Sequence, residues 1–214
     1  MKKTAKGSQK RAAAARKSLG KKNFSIVIVG TGGQGLITLL EILANAAKNQ
    51  GYDTKTSELH GLSQRGGSVE VHVKFGKKIY SPLVTKASAD LILGLEMQEC
   101  LKAAYFAGPN THFLINKNIT PIPEQTPIPA GTIVKNLSKF TKNIDVVDAN
   151  AICQKALETS VVSGTYLLSL AVLTGVIPIG KEHFKQAIKQ SIAPKYLELN
   201  EKTYKLAETN AKTK

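Results

Sequence analysis

Phe24–Gly35 reads FSIVIVGTGGQG, a β-branched apolar run that feeds directly into a glycine loop. Six residues with no charge and little side-chain flexibility form a buried strand, Phe24–Val29. Leu36–Asn49 follows as a helix, because Leu39, Leu40, Leu43 and Ala47 recur at helical spacing and Gly51 stops it. Strand, glycine turn and helix in that order open a doubly wound α/β unit. The glycines at Gly30, Gly32 and Gly35 fit G-x-G-x-x-G, with Gly33 and Gln34 inside the loop. Such a loop lets backbone approach a ligand closely, and the helix start offers unpaired N–H groups to an anion. The same glycines could equally serve close strand–helix packing or a protein interface.

Working outward, Tyr52–Glu58 reads as a second strand, and Glu58 falls near where an acid would hold a ribose. Leu59–Gly67 (LHGLSQRGG) lacks periodicity and reads as loop. If the second strand lies beside the first, His60, Gln64, Arg65, Gly66 and Gly67 stand next to the glycine loop. Arg65 then suits a carboxylate or phosphate, and His60 can titrate near neutral pH. A solvated or structural role for both is the plainer alternative. Ser68–Phe75 alternates, with Val69, Val71, Val73 and Phe75 on one face and Glu70, His72 and Lys74 on the other. Gly76-Lys77 then predicts a turn and Lys78–Ser81 a returning strand, so the sheet should be mixed.

Farther on, Asp90–Leu95, Thr111–Asn116 and Ile144–Val147 read as strands, with a helix near Met97–Phe106 and another over Ala149–Thr159. Four prolines within residues 117–131 exclude a helix there. Helices follow over Thr165–Thr174, Lys181–Ser191 and Pro194–Thr209. The stretch Val161–Ile179 is apolar on nearly every face, which predicts burial, with another subunit as a natural cover. The expected fold is a three-layer Rossmann-like α/β domain over 24–210, with a mixed, mostly parallel sheet and a helical C-terminal segment.

Composition narrows the chemistry. The 214 residues are 42% apolar, enough for one domain with a real core. The net charge of +15 is concentrated at the start: residues 1–23 hold nine Lys or Arg, and the first acid is Glu41. That tail reads as a disordered, solvated extension. Attraction to nucleic acid or acidic proteins, and organellar import, are its alternatives. Basicity confined to a tail without interleaved aromatics does not indicate specific nucleic-acid binding. No stretch is apolar enough to span a bilayer and none reads as a secretory signal, so a cytoplasmic protein is expected. The two cysteines, Cys100 and Cys153, lack C-x-x-C neighbours, and the four histidines lack metal-ligand spacing. Neither an iron–sulfur cluster nor a zinc site is expected on this chain alone. No catalytic nucleophile stands out.

Six stretches together carry a resemblance: GTGGQG at Gly30–Gly35, SELHGLSQRGGSVEVHV at Ser57–Val73, IYSPLV at Ile79–Val84, ADLILGLE at Ala89–Glu96, SGTYLLSLAVLTG at Ser163–Gly175 and APKYLELNEKTYKLA at Ala193–Ala207. In this order they resemble the gamma-type domain of 2-oxoacid:ferredoxin oxidoreductases. The H-G-x-x-Q-R-G-G form at His60–Gly67 looks most like the indolepyruvate branch. The resemblance implies a subunit, inactive alone, of an enzyme that oxidatively decarboxylates an arylpyruvate to an acyl-CoA and passes electrons to ferredoxin. It implies a large partner subunit holding thiamine diphosphate and 4Fe–4S clusters, with coenzyme A as co-substrate and no cofactor on this chain alone. It makes Gly30, Gly32, Gly33, Gln34, Gly35, His60, Gln64, Arg65, Gly66 and Gly67 candidates for contact with substrate, coenzyme A or the partner. A stand-alone nicotinamide-dependent dehydrogenase and an adenylate-forming fold are the competing readings of the glycine loop.

Overall fold

The structure is a computed structural model that describes residues 23–60, 67–121 and 126–212. Strand β1 (Asn23–Thr31) leads through the glycine loop to α1 (Leu36–Asn49), and the chain returns as β2 (Asp53–His60) and β3 (Ser68–Gly76). After β4 (Ala89–Gly94) come α2 (Met97–Ala103) with a short 3-10 turn over Ala104–Phe106, then β5 (Ala107–Asn116). Helix α3 (Ala130–Leu137) precedes β6 (Ile144–Val147). The rest is helical: α4 (Ala149–Leu157), α5 (Ser163–Leu173), α6 (Lys181–Ser191) and α7 (Pro194–Lys212).

The six strands form one sheet in the order β2-β3-β1-β4-β5-β6. Only β3 runs against its neighbours; β1, β4, β5 and β6 pair parallel. Alternation along the strands feeds two cores. Ile26, Ile28, Val71, Val73, Leu91 and Leu93 face a large core closed by α1, α5, α6 and α7. Val27, Val29, Ile92, Phe113 and Ile115 face a smaller core closed by Met97 and Cys100 of α2 and by Ile133 and Leu137 of α3. This is the three-layer, mixed and mostly parallel arrangement expected from the sequence.

Two local expectations are corrected. Lys78–Ser81 does not return as a strand, because both edges of β3 are already taken by β1 and β2. The segment instead crosses over the second face, with Ile79 and Val84 buried and the Ile79 N–H donating to Asp53 Oδ2 at 2.7 Å. That crossing also covers the polar face of β3. His72 is 1% exposed, accepts the Val84 N–H on Nδ1 at 2.9 Å, meets Glu70 Oε1 with Nε2 at 2.8 Å and stacks edge-on against Phe106. The prolines did not keep helix away from 130 onward: Pro129 stands at the N-cap of α3, where a missing N–H costs nothing.

Helix α5 needs no other subunit to cover it. Every residue from Gly164 to Val172 is buried within this chain, against α4, α7, α1, α6 and the sheet. A helix with no polar face suits that central place, and removing a large side chain from it, as in Leu167→Ala, should cost about 2–5 kcal/mol.

Candidate functional site

The site grows from the end of β1. Gln34 folds back so that its Oε1 accepts the Thr31 N–H at 2.9 Å, while the Gln34 N–H donates to Thr31 O at 3.2 Å. This closes a tight turn. Gly33 and Gly35 have φ of +97° and +75°, a region where side chains are strained. Gly30 has no room for a Cβ, because Gln34 Oε1, Leu95 and Leu36 already surround that space. Gly35 is the N-cap of α1 and provides no side-chain acceptor, and the first turn of α1 holds no acid. The loop therefore presents an uncapped helix start at the carboxyl edge of the sheet.

The neighbourhood of this loop differs in one respect from the expected one. β2 is not adjacent to β1; β3 lies between them. Glu58 therefore pairs with Val71, two strand spacings (about 10 Å) from β1, too far to act as the ribose-holding acid of a dinucleotide site. Both ends of the connection from β2 to β3 nevertheless lie at the same edge as the glycine loop. Gly32 N–H donates to Gly67 O at 2.9 Å. His60 at the end of β2 is in register with Val69, which is in register with Gly30. Gln64, Arg65 and Gly66 lie outside the described residues.

Beside the loop, on the other side of β1, stands a buried acidic network that pattern reading missed. Glu96 is 1% exposed and caps α2, its Oε2 accepting the Glu99 N–H at 2.8 Å and its Oε1 the Thr120 N–H at 3.1 Å. Burial raises its carboxyl pKa above the ordinary range, against the backbone N–H groups of Glu99, Thr120 and Gln98, which lower it. Glu99 accepts from Ser68 and pairs with Lys102 Nζ at 2.7 Å. Asn116 donates to Asn150 Oδ1 and accepts the Ala149 N–H, tying β5 to α4. The E-x-x-E spacing at Glu96 and Glu99, just after a strand, was the available signal for this cap.

The glycine loop also lines a pocket of about 500 Å³, shared with Val161–Thr165 and with Ser191–Asn200. These parts of the chain were read as helix and core, and nothing in their spacing marked them as a site. A larger groove of about 680 Å³ lies between α6 and α7. Four of its charged residues pair within the chain, Lys185 with Glu182 and Lys189 with Glu201, and it shares no lining residue with the pocket at the glycine loop. Cys100 and Cys153 lie in different cores on opposite faces of the sheet. Burial pushes the Cys153 thiol up to about 11, and burial with the nearby Glu96 and Glu99 raises Cys100 further. Neither is a ready thiolate at neutral pH.

A sequence-family model described as pyruvate ferredoxin/flavodoxin oxidoreductase matches residues 25–209. The chain belongs to this family. An indolepyruvate oxidoreductase subunit IorB from Archaeoglobus fulgidus is 36% identical over 202 residues, covering 88% of this chain and 95% of the relative. Among solved structures, the gamma subunit of a keto/oxoacid ferredoxin oxidoreductase from Geobacter sulfurreducens superposes with a TM-score of 0.66 at 22% identity, covering 89% of this chain and 97% of that one. A 2-oxoglutarate:ferredoxin oxidoreductase from Magnetococcus marinus superposes with a TM-score of 0.68 at 16% identity, over 91% of this chain and 32% of that much longer chain. The fold is thus a free chain in one relative and one part of a larger chain in another. Membership of the oxidoreductase family replaces the stand-alone dehydrogenase and adenylate-forming readings. The glycine loop belongs to a subunit of a 2-oxoacid:ferredoxin oxidoreductase.

Proposed function

We propose that this chain is the small subunit of an oxidoreductase acting on indolepyruvate or a related arylpyruvate, and that the glycine loop and the β2–β3 connection form its contact with coenzyme A, substrate or the large subunit. The observation that carries the reading is the near full-length similarity to an indolepyruvate oxidoreductase subunit. The geometry supports it. An uncapped helix start favours an anion by roughly 0.3–1 kcal/mol when exposed and more when desolvated. The Gly32–Gly67 bond brings the two sequence-predicted loops to one edge. On this reading thiamine diphosphate and the iron–sulfur clusters reside on the large partner, which also passes electrons to ferredoxin. This chain contributes binding and positioning. No helix among the described residues is long and apolar enough to cross a membrane, and a cytoplasmic complex is the setting that the reading assumes.

Reconstitution tests it. The isolated chain should not oxidise arylpyruvates with a ferredoxin or dye acceptor, even with thiamine diphosphate and coenzyme A supplied. Adding the large subunit encoded in the same genome should create activity that saturates with this chain. Titrating that subunit, and then coenzyme A, against Arg65→Ala measures the loop. Truncation at a desolvated contact should cost about 2–5 kcal/mol, at a solvated rim roughly 0–1 kcal/mol. Robust turnover by the chain alone, or no activity with any thiamine-dependent partner, would overturn the assignment.

A further inference from the structure

The stretch Ile79–Val84, IYSPLV, is divided between two tasks, and the fold uses only one of them. Ile79 and Val84 are buried, and their N–H groups donate to Asp53 Oδ2 at 2.7 Å and to His72 Nδ1 at 2.9 Å. These two pins hold the ends of the segment on the second face of the sheet. Between them the chain arches outward, leaving Tyr80 81% exposed and Leu83 47% exposed. Lys74 Nζ donates to Leu83 O at 3.4 Å, and Pro82 fixes one backbone angle, so the arch is stiff. Tyr105, 58% exposed, joins the same layer. Its carbonyl accepts the Ala87 N–H at 3.1 Å, and its ring meets Phe106 edge-on, which meets His72 edge-on in turn. No packing within the chain calls for these three large side chains in water. Tyrosines held in place before docking lose little freedom on binding and are favoured anchors of protein interfaces.

Charge surrounds this apolar centre and has one sign. Between Glu70 and Asp90 the chain holds four lysines, Lys74, Lys77, Lys78 and Lys86, and no acid. Lys78 Nζ lies 5.1 Å from the centre of the Tyr80 ring, and Lys86 Nζ lies 5.9 Å from that of Tyr105. Asp53 and Glu70, the acids bonded beneath the segment, are engaged by the Ile79 N–H and by His72. Residues 1–22 add nine further Lys or Arg and join the fold at Asn23, in register with Gly76 immediately before Lys77 and Lys78. A positive rim around aromatic anchors selects an acidic surface and disfavours a second copy of this chain, in which like charges would meet. An ammonium over each tyrosine ring also occupies a face that a nucleic-acid base would need for stacking.

We propose that Tyr80, Leu83 and Tyr105, with the lysines around them, are the seat of the large subunit, which meets them with apolar side chains inside an acidic rim. The inference deepens the functional reading above and rests on it for the existence of that subunit. Lasting subunit contacts are the more apolar class of interface, which favours the large subunit over a transient carrier as the occupant. The seat is separate from the glycine loop. The segment leaves β3 at Gly76, and the Gly32–Gly67 bond lies beyond Ser68 at the other end of that strand, about 27 Å away.

The test titrates the large subunit encoded in the same genome into the full chain by calorimetry and follows turnover with an arylpyruvate, coenzyme A and a dye acceptor. Tyr80→Ser with Leu83→Ser should weaken the complex at least tenfold, with an unchanged circular dichroism spectrum and unfolding midpoint, since neither side chain is part of a core. Lys78→Glu with Lys86→Glu should weaken it at least tenfold at low salt and by less at high salt. Turnover at saturating large subunit should match wild type in both double variants. Phe140→Ser, which removes a 45% exposed ring between α3 and β6, should change nothing. Unchanged affinity in either double variant, an equal loss in Phe140→Ser, or a fall in saturated turnover at unchanged affinity would each overturn the proposal. So would wild-type self-association that Tyr80→Ser abolishes, or binding of a single-stranded oligothymidylate that Lys78→Glu with Lys86→Glu removes while subunit affinity stays. An active complex that both double variants leave intact defeats only this inference. A chain to which no thiamine-dependent subunit binds defeats the functional reading, and this inference with it.

Discussion

At the residue scale, the glycine loop shows that one motif asks different things of each glycine. Gly33 and Gly35 sit at positive φ, whereas Gly32 is absent from that set and contributes its N–H to Gly67. Gly33→Ala and Gly35→Ala should each cost about 1–2 kcal/mol in denaturant unfolding, while Gly32→Ala should cost less. Equal losses at all three would show that close packing, not backbone angle, sets the requirement. Glu96 offers a pH test. Burial holds its pKa above the ordinary 4.5 in the folded state. Between the two values the folded chain keeps a proton that the unfolded chain has released, so stability is lost as pH rises through that window. The stability of the wild type relative to Glu96→Gln should therefore fall as pH rises above about 4.5. A rise would mean that the backbone N–H bonds outweigh desolvation. The glycine positions were legible in the sequence because steric demand is local. Glu96 was not, because its burial depends on Thr120, which is brought to it from the far side of β5.

At the scale of elements, β4 and α2 meet where Gly94 faces Cys100. A Cβ at Gly94 would collide with Cys100 Sγ, and that sulfur is held in place as its thiol donates to Glu96 O at 3.3 Å. Gly94→Ala should cost about 1–3 kcal/mol by overpacking. Cys100→Ala in the same chain should recover part of that loss, with a coupling energy of about 0.5–3 kcal/mol in a double-mutant cycle. Additive losses would show that the strand backbone, not the thiol, limits the site. Element identity followed from periodicity wherever one face was buried: α1 and α6 keep the bounds read from the sequence. It failed at Lys78–Ser81, because a short alternating run forms a strand only if an edge is free, and β1 and β2 leave β3 none.

At the scale of the whole molecule, the sheet separates the two cysteines into different cores, so they cannot share a cluster without unfolding one layer. The chain purified alone under anaerobic conditions should be colourless and iron-free. Stoichiometric iron and sulfide on the single chain would contradict this. By itself the sequence determined the strand–glycine–helix opening, the alternation of β3, the apolar character of α5 and a set of motifs specific enough to indicate the family, since each depends on residues adjacent along the chain. Only the tertiary structure decided the position of β3 between β1 and β2, which removes Glu58 from the glycine loop. It alone showed that α5 is covered by its own chain. It alone brought the starts of α1, α5 and α7 to one pocket, because a cavity is made by residues as far apart in the chain as Gly33 and Asn200, whose meeting no local pattern encodes.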